Sequence, residues 1–159
     1  MNYNDEYPTC AETKATLRIY HDQLDPESVS NQLSLTPTVS QRKGGVPASR
    51  WASKPAAIGG WFLSTEGKVI SKDCRRHIDW IIESLVGRGD VLRQFREDGC
   101  RTEISVYWVS AYGNGGPMVS PHSMARLGVL GLELQFDIYF FEDDTQASDN
   151  RSEDSRGSG

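Results

Sequence analysis

Apolar and polar residues alternate near the C-terminal end of the chain, from Leu132 to Phe140. A period of two residues predicts a β-strand with one buried face and one face in solvent. A buried parallel strand would instead be a continuous apolar run, so the alternation also favours a sheet that is at least partly antiparallel. This C-terminal strand is the element that the pattern predicts most directly.

Three shorter segments also have the pattern of strands, at residues 16–20, 60–65 and 102–109. Helices are predicted between them. The pairs Asp25-Pro26 and Ser120-Pro121 predict two helix starts, because a capping side chain followed by proline is typical of the first turn.

A longer helix is predicted over about residues 72–86, with Ser71 as its cap, followed by a shorter one at residues 90–97. The longer helix has one apolar stripe, formed by Cys74, Ile78, Ile81, Ile82 and Leu85. The buried side of the last helix is predicted to contain Met124, Leu127 and Leu130. The order βαβαβαβ predicts an α+β fold, with a four-stranded, at least partly antiparallel sheet and short helices packed mainly on one face.

The ends of the chain differ in composition from the middle. Residues 1–14 are polar and contain Pro8, which predicts a flexible N-terminal arm. Residues 142–159 carry six acidic residues and two arginines, so they account for −4 of the formal net charge of −5. They have too few apolar side chains to offset the entropy of ordering, which predicts a disordered acidic tail. Residues 15–141 then form a single α+β domain.

Several of these segments together resemble a bacterial family catalogued as domain of unknown function 4279. The matching residues are 15–19 with Asp25-Pro26, the Gly-Trp-Phe-Leu-Ser-Thr run at 60–65, the helix at 78–85 and the alternating end at 130–139. The resemblance extends over residues 15–141. It implies a small, stand-alone, cytoplasmic bacterial protein, and it offers no catalytic residues to carry over.

The composition argues against membrane and secretory classes. No apolar run approaches the roughly 20 residues that cross a bilayer. The N-terminus has neither the basic nor the apolar region of a signal peptide. Cys10, Cys74 and Cys100 are an odd number at irregular spacings, which favours reduced thiols and a cytoplasmic location.

Catalytic and metal-binding patterns are weak. Cys74 and His77 lie one helical turn apart, but zinc needs three or four protein ligands and no second pair follows. We therefore predict no metal and no cofactor. His21 or His122 could act as an acid or base, but neither belongs to a recognised catalytic motif, and we assign no catalytic residue.

Residues 36–60 form a long segment without a period, which is uncommon inside a compact domain unless it is functional or disordered. It contains Arg42, Lys43, Arg50 and Trp51, and no acidic residue occurs between Glu27 and Glu66. Such a loop could bind an anion or a nucleotide. The alternative is a solvated loop whose tryptophan covers the core. The nearly neutral body argues against nucleic acid as the ligand.

Trp80 lies on the long helix, almost opposite to its apolar stripe and beside Arg76 and Glu83. Tryptophan and arginine are enriched at the energetic centres of protein interfaces, so these three residues are a candidate partner-binding surface. The alternative is that the N-terminal arm or a loop covers Trp80.

The sequence thus predicts a small non-catalytic cytoplasmic protein that acts by contact with another protein. One specific form is a toxin-neutralising immunity protein, since such proteins are often small and acidic and complementary charge speeds encounter. The alternative is an anion- or nucleotide-binding protein, or a small enzyme, that uses the loop at 36–60. Nothing in the sequence defines an oligomeric state.

Overall fold

The computed structural model describes residues 2–46 and 54–140. These residues form five strands and four helices: β1 (Cys10–His21), α1 (Pro26–Leu33), β2 (Val39–Gln41), β3 (Gly59–Ser64), α2 (Cys74–Ser84), α3 (Gly89–Glu97), β4 (Arg101–Ser110), α4 (Pro121–Leu130) and β5 (Glu133–Phe140). The α+β class is confirmed. The strands form one mixed sheet in the order β2-β3-β1-β4-β5.

The predicted number of four strands is wrong, because the segment at 36–60 contains β2. This strand has only three residues, too few for a period to be recognised, and it pairs antiparallel with β3 at one edge of the sheet. β1 is also longer than predicted. It begins at Cys10, so residues 10–14 of the predicted arm belong to the central strand.

β5 pairs with β4 in parallel, whereas β1 pairs antiparallel with both β3 and β4. The prediction of an at least partly antiparallel sheet is confirmed, because three of the four strand pairs are antiparallel. The alternation in β5 does not indicate the direction of its own pairing, because an edge strand with one face in solvent alternates in either direction.

The core lies between the sheet and the helices. Alternate residues of the central strands, such as Leu17, Ile19 and Val106, meet the apolar stripes of the helices in one cluster. Trp61 of β3 and Trp108 of β4 are its largest fully buried side chains. Every apolar residue predicted for the α2 stripe is buried, including Leu85 just beyond the helix end.

Two of the three predicted helix starts are confirmed. The Asp25 carboxylate accepts the N–H of Glu27 at 3.2 Å, and the Ser120 hydroxyl accepts the N–H of Ser123 at 3.0 Å. The cap of α2 is Asp73 rather than Ser71. Its carboxylate accepts the N–H of Arg75 at 3.1 Å, and the Ser71 hydroxyl instead accepts the N–H of Asp73.

The buried side of α4 also differs from the prediction at one position. Leu127 is buried, but Met124 is about half exposed and the small Ser123 is fully buried in its place. The reason is a polar contact, because the Ser123 hydroxyl donates to the carboxylate of Asp79 on α2. α4 is therefore rotated so that this hydrogen bond faces inward.

Candidate partner-binding surface

A groove between α2 and α4 contains two adjoining cavities that share His122 and Arg126 as lining residues. We refer to it as the α2–α4 groove. Its polar cavity has a volume of about 580 Å³ and includes Arg76, Trp80 and Glu83 in its lining. The structure therefore brings together all three residues predicted as a partner-binding surface. Tyr3 of the arm and the α4 residues His122 and Arg126 are distant from α2 in the sequence, and no local sequence pattern predicts that they line the same cavity.

The N-terminal arm forms one side of the polar cavity. The Tyr3 hydroxyl donates to Asp79 at 2.9 Å, and the Arg76 guanidinium lies 4.5 Å from the centre of the Tyr3 ring. Arg76 also donates to the carboxylate of Asp5 at 3.0 Å, and the N–H of Asn4 donates to Asp73 at 2.8 Å. Burial, followed by the hydrogen bond to Asp79, raises the pKa of Tyr3 above its ordinary value. The arm is thus attached along the first turns of α2.

Asp79 is the polar centre of this region. Its carboxylate accepts the Ser123 hydroxyl at 2.6 Å as well as the Tyr3 hydroxyl, and the Ser123 hydroxyl also lies 2.6 Å from that of Ser120. The side chain is buried, so these two donors replace the water that a carboxylate needs. One carboxylate therefore joins the arm, α2 and α4.

Trp80 is half-buried and packs partly against the core, so it is less exposed than the sequence predicts. The ammonium group of Lys68 lies 5.3 Å from the centre of its ring, a distance at which a cation–π contact is favourable. Glu83 is exposed and forms an ion pair with Arg126 of α4. The polar cavity thus presents an aromatic face with paired charges around it.

The second cavity of the groove is apolar and has a volume of about 380 Å³. It is bounded by the end of α2 and by α4, and its lining includes Ile82, Val86, Val129 and Leu130. Val86 is 59% exposed and Val129 is 87% exposed. An apolar hollow beside a tryptophan and charged side chains has the composition of a protein-binding surface.

Two of the predicted anion-binding residues already have carboxylate partners. Arg42 pairs with Asp25 at 2.5 Å, and Lys43 pairs with Asp22 at 2.5 Å. Arg50 and Trp51 lie outside the residues that the structure describes. The aspartates at 22 and 25 precede the acid-free interval of the sequence, and the fold returns them to the loop, which reduces its net positive charge.

The two candidate acid–base histidines lie in different places. His21 lines a separate cavity of about 480 Å³ with Arg101 and Tyr20, and its Nδ1 accepts the N–H of Gln23 at 3.1 Å. His122 lies in the α2–α4 groove. They do not form a common site.

Cys74 and His77 are both buried in the core. Burial raises the pKa of the Cys74 thiol to about 11. His77 Nε2 lies 3.0 Å from the Ser71 carbonyl and Nδ1 lies 2.7 Å from the Thr65 hydroxyl, so both ring nitrogens have protein partners. Across residues 2–46 and 54–140, no group of three His, Cys, Asp or Glu side chains is arranged to hold a metal ion.

His77 should make the stability of the protein depend on pH. Burial lowers the pKa of its imidazole below the ordinary value, although the Ser71 carbonyl and Asp73 partly oppose the shift. The unfolded chain therefore takes up the proton first as the pH falls. We expect the contribution of neutral His77 to the free energy of unfolding to be fully present above about pH 6.5 and to decrease progressively below that pH.

Urea unfolding at about pH 7.5 and about pH 5.5 measures this effect, because the difference in unfolding free energy includes the protonation of His77. The His77→Gln variant keeps a donor and an acceptor but cannot titrate. It should lose less stability between the two pH values than the wild-type protein does. Equal losses in the two proteins would contradict a role for His77.

The sheet face opposite the helices contains a polar cluster that no local sequence pattern predicts. Arg18 lies 3.7 Å from the carboxylate of Glu103 and 3.6 Å from that of Asp137, which also accepts the Ser105 hydroxyl at 2.9 Å. Arg101 pairs with Glu103 at 3.0 Å. Only the strand register brings these residues together, since β1 pairs Arg18 with Glu103.

Aromatic side chains flank this cluster on both sides. Tyr20 and Phe62 meet edge to face with ring centres 5.3 Å apart, and Tyr107 and Tyr139 lie 5.2 Å apart. The charges within the cluster are balanced by one another, and the surrounding side chains leave Glu103 only 3% exposed. We therefore interpret the cluster as part of the architecture of the sheet rather than as a ligand site.

Comparison with known proteins identifies a family. A family model described as "Domain of unknown function (DUF4279)" matches residues 11–141, which is most of the chain. No curated protein and no solved structure matches it. Among the helices that the structure describes, none is both long and apolar enough to cross a membrane. The resemblance noted in the sequence is confirmed, and the chain belongs to the DUF4279 family of proteins of unknown function.

Proposed function

We propose that this protein is a non-catalytic binding protein whose partner is another protein and docks in the α2–α4 groove. The observation that supports this most is the apolar cavity, with Val129 and Val86 exposed beside the half-buried Trp80. Exposed apolar side chains in a concave site gain free energy when a partner covers them. The ion pairs of Arg76 and Arg126 surround this region and are suited to a polar rim.

The partner is proposed to insert an apolar side chain into the 380 Å³ cavity and to cover Trp80. Hot spots of interfaces are buried aromatic residues surrounded by contacts that exclude water. Trp80 has this arrangement once its exposed side is covered, because it already packs partly against the core and Lys68 lies over its ring. Neutralisation of a toxin is one specific form of this function, and a cytoplasmic site of action is supported by the three free cysteines.

A photo-crosslinking amino acid at Val129 tests whether a partner occupies the groove. In cells of the natural source it should capture one protein, and the same probe at the exposed Glu27 of α1 should not. The captured protein is then purified and its affinity measured. Equal capture of many proteins from both positions would contradict a specific partner in the groove.

Trp80→Ala should weaken this purified complex by about 2 kcal/mol or more, which is the scale of a hot spot. Trp80 contributes some packing to the core, so binding is measured at a temperature where circular dichroism shows the variant folded. The matched control is the double variant Arg42→Ala/Lys43→Ala, which changes the basic loop and should leave the affinity unchanged. Loss of binding in the control but not in Trp80→Ala would favour the loop and contradict the groove.

For the immunity form, the captured protein should be toxic when expressed alone. Co-expression with the wild-type protein should restore growth, and co-expression with Trp80→Ala should restore less. A non-toxic partner would contradict the immunity form and leave the binding function in place.

The alternative, an anion- or nucleotide-binding protein or small enzyme that uses the loop at 36–60, receives less support. Arg42 and Lys43 already have carboxylate partners, and releasing either would cost an ion pair. A screen with nucleotides and inorganic phosphate measures this alternative directly. Saturable binding that Arg42→Ala/Lys43→Ala abolishes would favour it.

A further inference from the structure

β5 forms one edge of the sheet, and in the part of the chain that the structure describes its only strand partner is β4. Apolar side chains are concentrated at the end of this edge: Ile138 is 41% exposed, Tyr139 54% and Phe140 56%. An unpaired strand edge presents N–H and C=O groups that can pair with a further strand.

The opposite edge lacks these features. β2 has only three residues, and very short edge strands are one way in which proteins prevent edge-to-edge association. β5 has eight residues and contains neither lysine nor proline, the residues that most often protect an edge. Pairing with a further strand is therefore disfavoured at the β2 edge and possible at the β5 edge.

The sequence of β5 is complementary to itself in one register. If two copies pair antiparallel about Phe136, Leu134 faces Ile138 and Gln135 faces Asp137. Glu133 then faces Tyr139. Apolar residues on the helix side meet apolar residues, polar residues meet polar or aromatic ones, and no two like charges are opposed. Directly opposite pairs of this kind stabilise an antiparallel ladder.

Neighbouring twofold registers are less favourable because they place like charges opposite each other. Pairing about Gln135 places Glu133 opposite Asp137, and pairing about Asp137 places this carboxylate opposite its own copy. A shift by one residue of one strand against the other puts the apolar set of one copy on the polar side of the other. The charges of β5 therefore select a register as well as a direction.

We propose that a second copy of this chain pairs with β5 across a twofold axis that is perpendicular to the sheet and lies midway between the two copies of Phe136. The sheet then continues from one copy into the next, with both helix layers on the same side. The exposure of Ile138 and Phe140 on the helix side leaves space for the strand of the second copy. Isologous contacts of this type are the commonest in soluble homodimers.

Sedimentation equilibrium of the full chain over a range of concentrations tests the proposal. A single pair of strands is a small interface, so we expect a concentration-dependent monomer–dimer equilibrium. Hydrogen exchange gives a second readout, since the outward amides of β5 should exchange more slowly as the dimer fraction rises. A wild-type protein that is monomeric at every concentration, or that forms larger assemblies without a dimer, would overturn the proposal.

Two substitutions at one exposed position test the register. Tyr139→Glu places a second carboxylate opposite Glu133 twice in the dimer, so it should weaken association about tenfold. Tyr139→Lys places an ammonium group there and should leave association unchanged or strengthen it. Both variants lose the same contact with Tyr107, so a loss of packing would affect them alike.

Higher salt should reduce the difference between the two variants, because the opposed charges are exposed. Equal weakening by Tyr139→Glu and Tyr139→Lys would show that Tyr139 does not face Glu133, and the proposed register would be wrong. Tyr139 does not line the α2–α4 groove, so failure of this proposal is distinguishable from failure of the proposed function.

Discussion

Trp61→Ala should lower the free energy of unfolding by about 3–5 kcal/mol, the range for removal of a buried aromatic side chain. Trp61 is fully buried on β3, where its ring fills the space between the sheet and the helices. The cavity left by alanine cannot be filled without moving the backbone of β3 or α1, because the indole also links these two elements. Its Nε1 donates to the Ser30 hydroxyl at 2.9 Å.

Urea unfolding measures the loss, and Ser30→Ala is the matched control. The control removes the acceptor of the indole N–H but leaves the ring in place, so it should cost about 1 kcal/mol. A similar cost for both variants would show that the hydrogen bond, rather than the volume of the ring, determines the contribution of Trp61.

Asp79→Ala should destabilise the protein by about 2–3 kcal/mol, because a hydrogen bond to a charged group contributes about 1.5–3 kcal/mol. The substitution removes the acceptor of the buried Ser123 hydroxyl and of the Tyr3 hydroxyl. We also expect faster hydrogen exchange and easier proteolysis in the arm, since Tyr3 loses its hydrogen bond to α2.

Asp79→Asn is the matched control, because it keeps an acceptor oxygen and the size of the side chain. It should retain most of the stability and most of the protection of the arm. If Asp79→Ala is as stable as the wild-type protein, the cost of burying the carboxylate equals what its two hydrogen bonds contribute. Unchanged hydrogen exchange and proteolysis of the arm would show that Asp79 does not hold it in place.

The elements that depend on local physics were predictable from the sequence. Asp25 and Ser120 cap the helices where expected, because the cap and the following proline act within one turn. The apolar stripe of α2 is also buried as predicted. The misplaced cap of α2 has a simple cause, since Ser71 and Asp73 are both good capping residues two positions apart, and only their hydrogen bonds distinguish them.

The features that depend on long-range pairing were not predictable. The parallel direction of β5 follows from the crossover through α4, and its alternating pattern is compatible with either direction. The ion pairs of Arg42 and Lys43 arise because β2 returns the loop to the start of α1, which a count of charges along the sequence does not show.

The candidate site was predictable only along one helix. Arg76, Trp80 and Glu83 are spaced so that they share a face of α2, and they do line one cavity. The sequence offers the arm as a possible cover for Trp80, but no local pattern predicts its attachment to Arg76 and Asp79. The apolar cavity requires the position of α4, which depends on the Asp79–Ser123 hydrogen bond.

The buried carboxylate of Glu103 has a consequence for any redesign of the sheet. Its strand, β4, is lined on the helix side by Ile104 and Val106, and on the other side Glu103 and Ser105 are equally inaccessible. A redesign that treats Glu103 as an exposed position would remove the carboxylate that pairs with Arg101 and one of the two that lie near Arg18. Sites for labels or grafted loops are better sought at exposed positions outside the sheet, such as Glu27 of α1.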